Sequence, residues 1–144
     1  MYLVDTNVLS ARAPSRVAPV ELIAWMDAHS AELFLSAVTV AEIEDGIAKL
    51  RREGATRKAA DLMAWLDALL HLYGNRILPF DTTLARLAGV LSDRARAQGQ
   101  APGFADIAIA ATAKHHDLTI LTRNVRHFDR LGVPVIDPFA ALPR

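Results

Sequence analysis

The sequence contains no cysteine, and this absence removes several kinds of chemistry. No disulfide framework, thiolate nucleophile or cysteine-based zinc site can form. Its 16 basic and 16 acidic residues cancel, so a bound polyanion would need local basic patches or metal ions rather than an overall positive charge. No stretch reaches the roughly 18 unbroken apolar residues of a membrane span, and no basic, then apolar leader is visible. We therefore expect a cytoplasmic protein whose reactive groups are oxygen or imidazole.

The 144 residues, 52% of them hydrophobic, are about the number found in one ordinary domain. Short apolar runs alternate with longer helical patterns, which predicts an α/β domain with a mostly parallel sheet of about five strands covered by helices on both faces. The strands are expected at Tyr2 to Val4, Leu33 to Ser36, Ile77 to Phe80, Leu118 to Thr122 and Val133 to Ile136. The helices are expected at Pro19 to His29, Val40 to Arg52, Thr56 to Tyr73, Thr82 to Gln98 and Ala105 to His116.

Acidic and amide side chains fall where the predicted strands end or the helices begin. Asp5 ends the first strand in "YLVDTNVLS", Glu42 lies in the first turn after the second strand, and Asp106 opens the helix before the fourth. Asp81 follows the third strand, and Asn124 follows the fourth. Ligands of open parallel sheets bind beyond the C-terminal strand ends, so we expect Asp5, Glu42, Asp106 and Asn124 to converge. Mg²⁺ prefers such oxygen ligands.

The same residues also have a purely structural interpretation. Asp5 to Asn7 can cap a helix start, and Asp81 before two threonines resembles an N-cap. Thr39 to Glu42 matches the capping box, in which the glutamate bonds back to the threonine amide. Asp106 would interact favourably with a helix N-terminal dipole. Sequence patterns alone leave both interpretations open, with Asp81 as the weakest metal candidate.

Four segments in order along the chain resemble the PIN-domain ribonucleases, and most closely the VapC-type toxins of bacterial toxin–antitoxin pairs, including FitB-like members. They are "VDTNVLS", "SAVTVAEIEDGI", "FADIAIAATAKHHDLTILTRN" and "HFDRLGVPVIDPF". The resemblance implies a single three-layer α/β/α domain over residues 1–144. It also implies a Mg²⁺ or Mn²⁺ site, hydrolysis of RNA by a metal-activated water, a small cognate antitoxin and a homodimer.

The resemblance also assigns roles to individual residues. Asp5, Glu42 and Asp106 match the metal-binding and catalytic carboxylates of the family, while Thr6, Asn7, Thr122 and Asn124 match its supporting polar residues. Arg123 and Arg126 flank Asn124 and are candidate contacts for RNA phosphate.

The sequence departs from the family pattern at one position. His127 stands where many members have an additional aspartate, and Asp129 lies beyond the intervening Phe128. This departure leaves open whether the site takes one or two ions.

Three other functions remain compatible with acids at strand ends. A haloacid dehalogenase-like phosphatase requires a second aspartate two positions after the first, where this chain has Asn7. A signalling receiver domain needs a phospho-acceptor at the third strand, for which Asp81 is the nearest candidate. A PIN-fold module that binds RNA without turnover is the third. The apolar stripe from Leu62 to Tyr73 is a candidate homodimer surface, although such stripes more often pack into the core.

Overall fold

The computed structural model describes all residues from Met1 to Arg144. Its five β-strands are β1 (Tyr2–Val4), β2 (Leu33–Ser36), β3 (Ile77–Leu78), β4 (Thr119–Leu121) and β5 (Val135–Ile136). Its α-helices are α1 (Thr6–Leu9), α2 (Val20–Ala28), α3 (Ala37–Arg52), α4 (Thr56–Tyr73), α5 (Thr82–Ala97), α6 (Phe104–His115) and α7 (Val125–Phe128). None of these helices combines the length and the hydrophobicity that a membrane-spanning segment requires.

The five strands form one parallel sheet in the order β3-β2-β1-β4-β5. Alternate side chains of each strand enter different cores. Leu3 packs with α5, α6 and α7 on one face, whereas Val4 packs with α1 to α4 on the other. Because both faces are covered, the central strands β2, β1 and β4 consist mainly of apolar residues. This arrangement confirms the predicted three-layer α/β/α fold.

Three strands are shorter than predicted. The fourth was expected at Leu118 to Thr122 but spans Thr119–Leu121, and proline explains the differences at the other two. The third strand was expected to reach Phe80 but ends at Leu78, because Pro79 has no N–H to donate to the ladder. The fifth was expected from Val133 but begins at Val135, directly after Pro134.

The start of α3 differs from the predicted capping box. The helix begins at Ala37, and the side chain of Ser36 caps it by accepting a hydrogen bond from the Val38 amide at 3.1 Å. Thr39 therefore lies inside the first turn, with its buried hydroxyl unpaired. The capping-box interpretation of Glu42 is wrong, which leaves its carboxylate free for a tertiary contact.

The fourth helix has the predicted bounds and ends at Gly74, which adopts a positive φ of 52°. Its apolar stripe does not form an outer surface. Leu66, Leu69 and Tyr73 are buried against β1 and β2 in the core. The expected use of this stripe as a homodimer surface is therefore wrong, because these side chains are already covered within the chain.

Candidate metal centre

The strand order creates a crevice between β1 and β4. From β1 the chain adds β2 and β3 on one side of the sheet, and then β4 and β5 on the other. The C-terminal ends of the strands at such a switch point are the usual ligand-binding place of open α/β sheets. Asp5 directly follows β1, Thr122 directly follows β4, and Asp106 lies in the first turn of α6.

Asp5 is the most buried acid of the chain, with 5% of its surface exposed. Its Oδ1 accepts a hydrogen bond from the Thr6 amide at 2.8 Å. Its Oδ2 accepts from the Thr122 hydroxyl at 2.7 Å and from the Asn7 side-chain amide at 3.3 Å. These donors hold the carboxylate in one orientation, and Asn7 also donates to Thr122 at 3.2 Å.

Glu42 reaches the site from α3, at its solvent-exposed edge. Its Oε1 accepts a hydrogen bond of 2.7 Å from the Thr6 hydroxyl. Thr6 thus connects two of the three predicted acids, because its amide binds Asp5 while its hydroxyl binds Glu42. This contact links α1 to α3, because Thr6 and Glu42 lie 36 positions apart in the sequence.

Asp106 is paired with the histidine that departs from the family pattern. His127 Nδ1 lies 2.9 Å from Asp106 Oδ2. The pair is partly open to solvent, with 27% of the Asp106 side chain and 54% of the His127 side chain exposed. Gly103 is the N-cap residue of α6, so Asp106 does not act as the helix cap. Its carboxylate instead contacts His127 of α7.

The three acids influence one another electrostatically. Burial raises the pKa of Asp5, the hydrogen bonds from Thr122 and Thr6 oppose this rise, and the negative charge of Asp106 adds to it. Partial burial likewise raises the pKa of Glu42, with further increases from Asp5 and Asp106 against the opposing hydrogen bond from Thr6. A cation placed among these carboxylates would favour their charged forms and so oppose the effects of burial and of the neighbouring negative charges on both pKa values.

Three other predicted residues are less closely connected to these acids. Asn124 donates its backbone amide to the Thr122 hydroxyl at 3.0 Å, but its side chain makes no hydrogen bond and is exposed. Arg123 places its guanidinium over the Phe139 ring, 4.5 Å from the centroid. Asp81 is an N-cap, since its carboxylate accepts from the Leu84 amide at 3.0 Å.

A cavity of about 530 Å³ opens beside Asp106 and His127. Most of its lining residues carry polar or charged side chains, among them Arg126, which the sequence predicted as a phosphate contact, and Arg130, which it did not. Arg130 lies in a short turn after α7 without a periodic pattern, so no sequence signal distinguished it from other surface arginines. Asp129 also lines this cavity.

The donor set fits a hard divalent cation that keeps part of its water shell. No three Asp, Glu or His side chains converge closely enough to enclose a metal ion on their own. Mg²⁺ does not require such a cage, because it is typically bound by one or two carboxylates, several waters and substrate phosphate. Asp5 and Asp106 would hold the ion, with Glu42 acting directly or through water.

A model of the PIN domain family matches residues 2–134. The chain is 39% identical to Toxin FitB of Neisseria gonorrhoeae over 142 residues, covering 96% of this chain and 99% of FitB. It is 34% identical to VapC ribonuclease Y4jK of Sinorhizobium fredii, covering 96% and 98% of the two chains. The crystal structure of FitAcB from Neisseria gonorrhoeae superposes with a TM-score of 0.82 at 39% identity, over 96% of this chain and 98% of that one. Together with the carboxylates at the switch point, these similarities show that the chain belongs to the PIN-domain family, among the VapC-type toxins of toxin–antitoxin systems.

Proposed function

We propose that this protein is a Mg²⁺- or Mn²⁺-dependent endoribonuclease that acts as the toxin of a type II toxin–antitoxin system. The observation that carries this proposal is that Thr6 joins the carboxylates of Asp5 and Glu42 at the switch point of the sheet, through its amide and its hydroxyl. The negative charge of Asp106, in the first turn of α6, raises the pKa of both acids. The relative named VapC ribonuclease Y4jK supports RNA as the substrate.

The residues around the acids have distinct tasks in this proposal. Thr122, Asn7 and the Thr6 amide orient Asp5, and His127 orients Asp106. A divalent ion, when bound, would lower the pKa of a water molecule so that it attacks phosphorus, and would stabilise the developing negative charge. Arg126, in the cavity beside Asp106, is placed to contact a phosphate of the strand. No lysine or histidine is required as a general base.

The proposal is tested by RNA cleavage with Mg²⁺ or Mn²⁺, with EDTA, and with the Asp5→Asn variant. We expect cleavage only for the wild-type protein with metal. Cleavage that persists in EDTA and in Asp5→Asn would refute the assignment. Sequencing of RNA 5′ ends after brief expression would then identify the target, which depends on exposed loops and shape.

A PIN-fold module that binds RNA without cleaving it is the second candidate, because His127 replaces an acid found in many members. It predicts RNA binding with no metal-dependent turnover in the same assay. The receiver-domain interpretation loses its support, since Asp81 caps α5 after the edge strand β3. The strand β2 lies between β3 and β1, the strand that Asp5 follows. Asn7, which binds Asp5 through its amide, occupies the position of the second phosphatase aspartate.

We also propose a small cognate antitoxin and a homodimer, in the cytoplasm where the RNA substrate is found. FitB carries the name of a toxin, and a toxin of this type needs a partner that blocks its site. A small open reading frame directly upstream and its co-purification would support the antitoxin. Light scattering that gives the mass of a single chain at high micromolar concentration would refute the homodimer.

A further inference from the structure

A second cavity adjoins the acids on the side of Asn7. It has a volume of about 260 Å³, and its lining includes Asn7, Ser10, Arg16, Val17, Arg123 and Phe139. Asn7 joins this cavity to the metal centre: its amide nitrogen donates to Asp5, while its carbonyl oxygen accepts from the Arg123 backbone amide at 3.1 Å. A group bound here would therefore lie next to the group bound at Asp5.

The cavity carries positive charge without any carboxylate in its lining. Arg16 and Arg123 both contribute to it, and neither side chain forms a hydrogen bond or ion pair within the chain. Other arginines are already engaged: Arg12 pairs with Asp27 at 2.7 Å, and Arg76 donates to the Leu33 carbonyl at 2.6 Å. The cavity beside Asp106 differs, because Asp106 and Asp129 offset its two arginines.

The Arg123 guanidinium is positioned before any ligand arrives. Its central carbon lies over the Phe139 ring, 4.5 Å from the centroid, and the Phe139 amide donates a hydrogen bond of 2.9 Å to the Asp137 carboxylate. A guanidinium restrained on an aromatic ring loses less conformational freedom on binding than a free one. Its fork of N–H donors suits the oxygens of a phosphate.

We infer that this cavity binds a phosphodiester group of the RNA strand, next to the one presented to Asp5, Glu42 and Asp106. The inference rests on the proposed ribonuclease function. Arg16 and Arg123 bind the non-bridging oxygens, and the unpaired Ser10 hydroxyl adds a donor. The strand thus meets arginines beside Asn7 as well as beside Asp106. The cavity beside Asn7, which has no carboxylate in its lining, compensates for the repulsion between the acids and RNA.

Binding of a short fluorescein-labelled oligouridine, measured by anisotropy over a range of KCl concentrations, tests the inference. All proteins carry Glu42→Gln and contain Mg²⁺, so that the strand is not consumed. Arg16→Ala and Arg123→Ala should each weaken binding on the order of tenfold. Each should also reduce the slope of log affinity against log salt by about 0.7, the value for one phosphate contact on a single strand.

Arg57→Ala is the matched control, because Arg57 is an exposed arginine on α4 and lines neither cavity. It should leave affinity and slope unchanged. Arg123→Lys should keep the slope, since the charge remains, while weakening affinity through loss of the planar fork. Both arginines are exposed, and thermal melts verify that the variants fold.

An unchanged salt slope in Arg16→Ala and Arg123→Ala would overturn the inference, even if both variants lost affinity for a partner protein. Cleavage by the protein with native Glu42 is measured separately. Failure of that protein to cleave RNA counts against the ribonuclease proposal, whereas cleavage together with unchanged slopes counts against the second phosphate site alone.

Discussion

The hydroxyl of Thr122 donates a 2.7 Å hydrogen bond to Asp5 Oδ2 across 117 positions of the chain. Thr122 is fully buried, and its oxygen also accepts from the Asn7 side chain and the Asn124 amide. One hydroxyl therefore connects the ends of β1 and β4 at the switch point. Its hydrogen bond also lowers the pKa of Asp5 against the effect of burial.

Replacing Thr122 with valine keeps the side-chain shape but removes these bonds. We expect the free energy of unfolding to fall by about 1–3 kcal/mol, because polar partners are left unsatisfied in a buried place. The pKa of Asp5 should rise further, which weakens Mn²⁺ binding near neutral pH. Urea denaturation and calorimetric titration with Mn²⁺ measure the two effects. Thr122→Ser retains the hydroxyl and should restore most of the Mn²⁺ affinity; equal affinities of the valine and serine variants would contradict this role.

The raised pKa values of Asp5 and Glu42 predict a particular pH dependence for the metal-free protein. Because folding raises both pKa values, the folded state holds more protons than the unfolded state above about pH 4. The free energy of unfolding should therefore fall as pH rises through the folded pKa values.

Glu42→Gln should reduce this fall and leave the metal-free protein equal or more stable at pH 7. We expect a gain of less than about 1 kcal/mol, because much of the partly buried Glu42 side chain still contacts water, which screens its charge. Denaturation in EDTA at several pH values, from the ordinary carboxyl pKa of about 4 up to about 7, measures the free energy of unfolding of both proteins. Parallel stability curves for the two proteins would refute the prediction.

Asp106→Asn separates a metal ligand from a helix-terminal acid. Asparagine can still accept the hydrogen bond from His127, and the exposed pair contributes little to stability. We expect a metal-free melting temperature no lower than that of the wild type by more than about 2 °C. The rise in melting temperature on adding Mn²⁺ should be smaller, because a ligand that binds the folded protein less tightly stabilises it less. RNA cleavage should be lost. An unchanged Mn²⁺ shift with retained cleavage would return Asp106 to a helix-terminal role.

His127→Asp would place a fourth carboxylate beside Asp106. In the metal-free protein the added negative charge should lower the melting temperature by a few degrees, roughly the effect of 1 kcal/mol. In Mn²⁺ the order should reverse, because the extra oxygen ligand strengthens binding of the ion. His127→Asn is the neutral control and should show neither change. Thermal melts and calorimetric stoichiometry, which reports one or two ions, decide the outcome.

Much of the fold was predictable because its signals are local. The apolar run before Asp5 defines β1, and the spacing of leucines up to Gly74 defines α4 with its observed bounds. Alternating strands and helices predicted the parallel sheet and its two covered faces. The errors at β3 and β5 arose from prolines that stop hydrogen bonding before the apolar run ends.

The candidate site was predictable only in part. Asp5, Glu42 and Asp106 were singled out by their positions and by the family resemblance, and the structure places all three within electrostatic range. The capping motif around Glu42 gave a wrong prediction. It paired the Glu42 carboxylate with a nearby backbone amide, whereas the hydroxyl of Thr6, 36 positions away, donates a hydrogen bond to it. Arg16 and Arg130 lie in irregular segments where no periodicity marks a functional side chain.

The sequence by itself determined which segments become strands and helices, and which acids stand at their ends, because these depend on interactions between near neighbours. Only the tertiary structure decided which of those ends meet. Placing β4 beside β1 brings Thr122 to Asp5, and packing α7 near α6 brings His127 to Asp106. Strand order depends on how the helices cover both faces of the sheet, a property of the whole chain that no single segment encodes.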